Sequence, residues 1–175
     1  MRYSLFLIGF LAGCGGGGVA PPVDPIDELP KTITPEINVA PTGTASYRGP
    51  TTLGFTPASA TAVTLNGTMN LNVNFDSAAV TGDASNYTTA IGAPVEGVLY
   101  LSSGMLDDSG TTLQFDSQIA GSLRAGTDAY LIAGAMNGEF LGADETAVSG
   151  RITGTAYQAG IPSTMSGTFQ VGRAP

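Results

Sequence analysis

The sequence predicts an all-β protein: a single eight-stranded antiparallel β-barrel, preceded by a disordered tether. Two observations carry the prediction. Beyond residue 41, short runs of alternating apolar and polar residues are separated by Gly, Asp, Asn and Ser, and no run keeps a helical period for three turns. Glycine also recurs inside the runs. A two-sheet sandwich stays open as the alternative, since alternation alone does not exclude it.

The first residues have the form of a secretory signal. Arg2 precedes an apolar run of about nine residues, too short to span a bilayer. The tetrad Leu11-Ala12-Gly13-Cys14 resembles the bacterial lipobox, in which the cysteine thiol receives a diacylglycerol. We therefore expect residues 1–13 to be a signal peptide and Cys14 to be lipidated, which anchors the chain to a membrane through its acyl chains. By resemblance to the enterobacterial sorting pattern, a glycine after the cysteine favours the outer membrane.

Residues 14–41 are predicted to be a Gly/Pro-rich tether. Four glycines follow the cysteine, and prolines stand at positions 21, 22, 25, 30, 35 and 41. Glycine gives flexibility, and spaced prolines favour extended backbone and exclude a regular helix. The barrel domain is then expected over residues 42–175, a suitable length for one barrel.

The clearest strand is the run "TMNLNVNF" at residues 68–75, in which Met69, Leu71, Val73 and Phe75 share one face and three asparagines share the other. This alternation predicts a half-buried strand. The other candidate strands cover residues 44–48, 62–65 (leading into that run), 79–83, 94–102, 111–119, 129–141, 146–156 and 164–171.

A short motif recurs in these strands: a small polar residue, a glycine, any residue, and a bulky apolar residue. Its four copies begin at Asn66, Asn137, Ser149 and Ser166. Glycine weakens a strand interior, but a coiled sheet that bends to close has a use for it. Closure also removes exposed edges, and eight strands leave an interior that side chains or one small ligand can fill.

Composition narrows the chemistry. The net charge is −8, and the chain has no histidine and a single cysteine. We therefore expect no nucleic-acid partner, no Ser-His-Asp or Cys-His catalysis, no usual zinc site and no disulfide. The acidic residues that could form a glycosidase pair are Asp107, Asp108, Asp116, Asp144 and Glu145. The segments "LDDSG" and "GADET" instead favour turns between strands, so we expect no enzyme, metal site or cofactor.

Three segments together resemble the barrel of transferrin-binding-protein-B-like bacterial surface lipoproteins. They are "GTASYRG" at residues 43–49, residues 65–75 followed by "AVTGD" at residues 79–83, and "MNGEFLGADETAVSGRITG" at residues 136–154. The resemblance covers about residues 43–172. It implies an eight-stranded barrel and a non-catalytic binding role at the cell surface. The implied partners are an iron- or haem-carrying protein, haem, or another host or environmental protein. A structural or periplasm-facing role in the envelope stays open.

Binding residues do not follow from a shared motif in this family, because recognition there resides in variable loops. Two connections are predicted to be long, residues 49–60 with Leu53 and Phe55, and residues 82–94 with Tyr87. Aromatic and large apolar residues on loops are favoured as contact anchors. Tyr87 is also a candidate tyrosinate ligand for haem, because the chain lacks histidine. The alternative, that these side chains fold down over the barrel end as a plug, stays open.

Overall fold

The computed structural model describes residues 41–57, 61–142 and 144–175. This part of the chain contains eight β-strands, and no helix in it is long and apolar enough to cross a membrane. The predicted signal peptide, Cys14 and the predicted tether lie outside the described residues. The strands are β1 (Thr44–Phe55), β2 (Val63–Asn74), β3 (Ala79–Thr89), β4 (Pro94–Asp107), β5 (Gln114–Ala125), β6 (Asp128–Leu141), β7 (Ala147–Gln158) and β8 (Ile161–Arg173).

The eight strands form a closed antiparallel barrel in which each strand pairs with the next along the chain. β1 and β8 close the ring, with partners running from Tyr47 opposite Arg173 to Phe55 opposite Met165. The predicted fold class is confirmed. The sandwich alternative is wrong, because one continuous ladder joins all eight strands and leaves no sheet edge.

Apolar side chains fill the interior, and polar side chains dominate the outer wall. In β2, Leu65, Met69, Leu71 and Val73 are buried, and the asparagines between them point outward. Phe140 lies among three other rings: Tyr47 at 5.8 Å, Phe75 at 6.0 Å and Phe115 at 6.1 Å between centroids. Such tilted and edge-to-face ring pairs are the favoured aromatic geometry.

Glycines face the interior where neighbouring strands or rings come closest. Every strand contains at least one glycine whose partner on a neighbouring strand faces inward. These glycines are Gly49, Gly67, Gly82, Gly97, Gly121, Gly134, Gly150 and Gly167. A Cβ atom at Gly121 would collide with the carbonyl oxygen of Val98 on the adjacent strand, and the Phe169 ring lies directly over Gly150. The glycines of all four sequence motifs face inward, as expected for a sheet that bends to close.

β1, β3, β4 and β5 all run at least five residues beyond their predicted ends, and the two long loops expected at residues 49–60 and 82–94 are mostly strand. In β1 the signal was obscured by Pro50, which a continuous strand rarely accepts. Pro50 is tolerated because the β1–β8 ladder is interrupted at Gly49 and Pro50, while pairing resumes at Thr51.

In β3, a β-bulge breaks the alternation on which the prediction depended. Ala84 and Tyr87 are both buried although they are three residues apart, and the register with β4 shifts between them. Asn86, within the bulge, has φ 55°, a left-handed conformation that asparagine tolerates better than most residues. The extra residue turns Tyr87 back to the interior.

Candidate functional site: the distal end of the barrel

The two ends of the barrel differ in the connections they carry. The described chain begins and finishes at one end, which we call the base, together with the connections at residues 75–78, 108–113 and 142–146. The opposite end, the distal end, carries the connections at residues 56–62, 90–93, 126–127 and 159–160. β1 begins at the base, and the described residues 41–43 precede it there.

The base is acidic, and its carboxylates hold turns. Asp76 Oδ1 accepts a hydrogen bond from the Gly43 N–H (2.9 Å), which fixes the start of β1. Asp107 Oδ1 accepts one from the Ser109 N–H (2.9 Å), and hydrogen bonds from Ser109 lower the pKa of Asp107. At the third connection, Arg173 Nη1 donates to the Asp144 carbonyl oxygen (3.2 Å).

The acidic segments lie where turns were predicted. "LDDSG" spans the end of β4 and the start of the connection to β5, and "GADET" spans the connection between β6 and β7. Asp116 lies apart from both, on the outer face of β5. Among the described residues, no group of three or more acidic, histidine or cysteine side chains is arranged to hold a metal ion.

Three connections at the distal end are short turns, at residues 90–93, 126–127 and 159–160, and none of the three contains a charged residue. In the β7–β8 turn, Ala159 and Gly160 both have positive φ, 49° and 82°, the pattern of a tight two-residue hairpin. Three hydrogen bonds close the β3–β4 turn. The Thr89 N–H donates to the Ala93 carbonyl oxygen (2.8 Å), the Gly92 N–H to the Thr89 carbonyl oxygen (2.9 Å), and the Ala93 N–H to the Thr89 hydroxyl oxygen (3.1 Å).

Ile91 lies at the tip of that β3–β4 turn and is 92% exposed. Its side chain lies outside the packed interior of the barrel and is accessible from the solvent. Sequence reasoning missed this residue. The available signal was its position, because "TAIGAP" places an isoleucine between small turn residues.

Leu53, Phe55 and Tyr87 are not on loops, and this part of the prediction is wrong. Leu53 and Phe55 belong to β1, Tyr87 belongs to β3, and all three are buried. Phe55 packs edge-to-face on Tyr130, with 4.9 Å between ring centroids. These side chains fill the interior towards the distal end, where a macromolecule outside the barrel does not reach them.

Tyr87 spans two strands inside the barrel. Its ring covers Gly67 on β2, 2.6 Å from where a Cβ atom would stand. Its hydroxyl is directed towards Thr51 on β1, whose own hydroxyl donates to the Thr168 carbonyl oxygen (3.1 Å). The Tyr87 hydroxyl is buried and makes no hydrogen bond of normal geometry with the described residues.

This environment disfavours a tyrosinate. Burial raises the pKa of Tyr87 far above its usual value, and the nearby Thr51 hydroxyl lowers it only in part. Ligation of ferric haem by tyrosine requires loss of the phenolic proton, and the ring is 1% exposed. In this interior position, Tyr87 does not readily become a tyrosinate, and a haem group has no open path to its hydroxyl.

No family model matches the chain, and no curated protein matches it.

Proposed function

We propose that this chain is a bacterial outer-membrane lipoprotein, displayed at the cell surface, whose barrel binds a partner protein at its distal end without chemical turnover. The lipobox resemblance around Cys14 supports the anchor, and the Gly/Pro-rich residues 14–41 support a tether. The observation that carries the binding role is Ile91, held 92% exposed on a hydrogen-bonded, uncharged turn at the end opposite the chain start.

The polarity of the wall supports a barrel that stands in water beside the membrane. Outward positions of β2 are asparagine and threonine, and inward positions are apolar. A barrel whose outer wall meets lipid has an apolar outer band instead. Attachment then falls to the acylated Cys14.

The partner we favour is a protein, in line with the iron- or haem-carrying proteins and other host or environmental proteins that the family resemblance implies. Free haem is the weaker candidate, because large side chains such as Leu65, Leu99 and Ile132 fill the described interior. An exposed apolar tip on a short turn fits the core of a protein contact.

Cleavage with trypsin tests surface display. Lys31 is the one basic residue of the predicted tether, whereas the arginines of the barrel lie within strands: Arg48, Arg124, Arg151 and Arg173. On intact cells, trypsin is expected to release a fragment that starts at Thr32. Lys31→Gln is the matched control, since it removes the cleavage site and leaves the barrel unchanged.

Labelling with a radioactive fatty acid tests the anchor. The parent chain is expected to incorporate the label and Cys14→Ser is not. If the parent chain stays unlabelled, the lipoprotein proposal fails.

The second candidate is a periplasm-facing envelope lipoprotein in which the barrel is a filled scaffold. It is favoured by the short distal turns, two residues each at 126–127 and 159–160. Protection from trypsin in intact cells, together with cleavage at Lys31 once the outer membrane is permeabilised, would support this candidate against the surface receptor.

A further inference from the structure

The outer wall of β4–β8 carries an apolar patch in its distal half. Leu131 on β6 is 58% exposed and lies opposite Tyr157 on β7, which in turn lies opposite Pro162 on β8. Tyr100 on β4 is 64% exposed and lies opposite Ala120 on β5, which lies opposite Ala133 on β6 and so connects Tyr100 to this group. We call these residues, with Ala133 between Ala120 and β7, the wall patch.

The opposite wall is different. Strands β1–β3 hold no exposed large apolar residue within their described length. Their outward side chains bond to one another: Ser46 Oγ donates to Asn72 Oδ1 (2.9 Å), and Asn70 Nδ2 donates to Asp83 Oδ2 (3.1 Å). The exposed large apolar residues of the strands therefore lie on one side of the barrel. Such clustering is expected of an interaction site and is not expected of apolar residues scattered at random over the surface.

The wall patch also lacks charge. Residues that pair across β4 to β8 form two rows over this surface, and neither row contains an acidic or basic residue. The first row is Val98, Ser122, Leu131, Tyr157 and Pro162, and the second is Tyr100, Ala120, Ala133, Thr155 and Thr164. Over residues 41–175 the chain has ten acidic residues and four arginines. The net negative charge of the barrel opposes the association of two copies. The wall patch brings no like charges together, so two copies can meet there without that local repulsion.

We propose that the wall patch is the contact between two copies of this chain, related by a twofold axis parallel to the barrel axis. A partner of opposite charge would be met by acidic side chains at the contact, and the wall patch has none. A second copy presents the same neutral apolar face. This axis places both bases at the same end, so both chains reach one membrane; that last point alone rests on the proposed anchor.

Disulfide cross-linking tests the contact in membranes from cells that express the full chain. Cys14 is the only cysteine, so the parent chain reports any background. Leu131→Cys and Ala135→Cys lie on the outer face of β6, about 13 Å apart along the strand. Leu131 lies within the wall patch, so Leu131→Cys is expected to give covalent dimers under mild oxidation. Because barrel strands are tilted by about 40° to the barrel axis, Ala135 lies to the side of a twofold axis that passes near Leu131, and Ala135→Cys is expected to cross-link less.

Thr81→Cys, exposed on the opposite wall, is the matched control and is expected to stay monomeric. Dimers at Ala135→Cys without dimers at Leu131→Cys would overturn the wall patch as the centre of the contact. Absence of dimers at both, relative to Thr81→Cys, would overturn the contact.

Sedimentation of the detergent-solubilised protein gives the second measurement. Tyr157→Lys introduces a charge in the wall patch and is expected to weaken self-association by about tenfold or more, whereas Thr81→Lys leaves it unchanged. Circular dichroism checks that both variants keep the strands. A parent chain that sediments as a monomer at all concentrations would overturn the proposal and leave the wall patch to a different protein.

Discussion

At the scale of single residues, the barrel depends on large rings that lie over positions without a side chain. Tyr87 covers Gly67, and Phe115 and Phe169 cover Gly138. The sequence revealed these glycines as a repeated motif, which was attributed to bending of the sheet; the structure adds that rings or neighbouring backbone occupy the space where their side chains would stand. The sequence did not reveal which ring covers which glycine, because the partners come from neighbouring strands and depend on the register.

Gly67→Ala is expected to lower the free energy of unfolding by about 1–3 kcal/mol, because the new methyl group meets the Tyr87 ring in a packed interior. Urea denaturation measures the change. Gly54→Ala is the control, since a Cβ atom there is 3.8 Å from its nearest neighbour, the Ser166 carbonyl oxygen. Equal losses in the two variants would contradict this account of Gly67.

Tyr87→Phe is expected to raise the free energy of unfolding by about 1 kcal/mol. The hydroxyl is buried without a hydrogen bond, so its removal relieves the desolvation cost and keeps the ring over Gly67. Thermal and urea unfolding measure the difference, with the exposed Tyr100→Phe as the control. A clear loss of stability would mean that the hydroxyl has a partner, such as a bound water.

Alkaline pH is expected to destabilise the fold. Burial raises the pKa values of Tyr47, Tyr87 and Tyr130 above the usual tyrosine value of about 10. The folded chain thus keeps phenolic protons that the unfolded chain loses above pH 10, and stability falls as pH rises from there. Denaturation across pH 9 to about 12 measures the slope, which is expected to be smaller in Tyr87→Phe.

At the scale of elements, alternation predicted all eight strands but misplaced the ends of several. The eight observed strands overlap the eight predicted ones. Irregular pairing accounts for three missed parts: residues 49–55 include an interruption of the β1–β8 ladder, residues 84–89 include a bulge, and residues 103–107 include a register shift between β4 and β5. Residues 120–125 of β5 were also missed, although they alternate regularly between outer and inner face.

The bulge gives a prediction for Asn86. A β-branched residue is strained at φ 55°, so Asn86→Val is expected to lower the free energy of unfolding by about 1–3 kcal/mol. Asn86→Gly, which accepts that conformation, is expected to leave stability nearly unchanged. Thermal unfolding of the pair separates backbone strain from loss of the amide. A similar loss in both variants would assign the effect to the side chain.

At the scale of the whole molecule, closure decides the behaviour of the chain. Every strand has two neighbours, and β8 completes the ring by pairing with β1. The sequence predicted closure from glycine content and length. It did not predict the exposed residue of the distal end, because the loop prediction placed Tyr87, Leu53 and Phe55 at the contact surface, and Ile91 was overlooked.

Removal of residues 161–175 is expected to convert the protein into an aggregating species. Without β8 the sheet exposes the edges of β1 and β7, which can pair with other chains. Light scattering and sedimentation measure the outcome. Removal of Pro175 alone is the control, because it lies beyond the last strand. A monomeric, folded truncation would show that closure is dispensable.

The acidic base has a physical effect once the chain is anchored as proposed. Phosphate-bearing headgroups repel Asp76, Asp107, Asp108 and Asp144, and the repulsion acts over roughly the Debye length, about 8 Å at physiological ionic strength. If the anchor holds, a barrel that approaches the bilayer base first meets this repulsion, and divalent cations that bridge carboxylate and phosphate would weaken it.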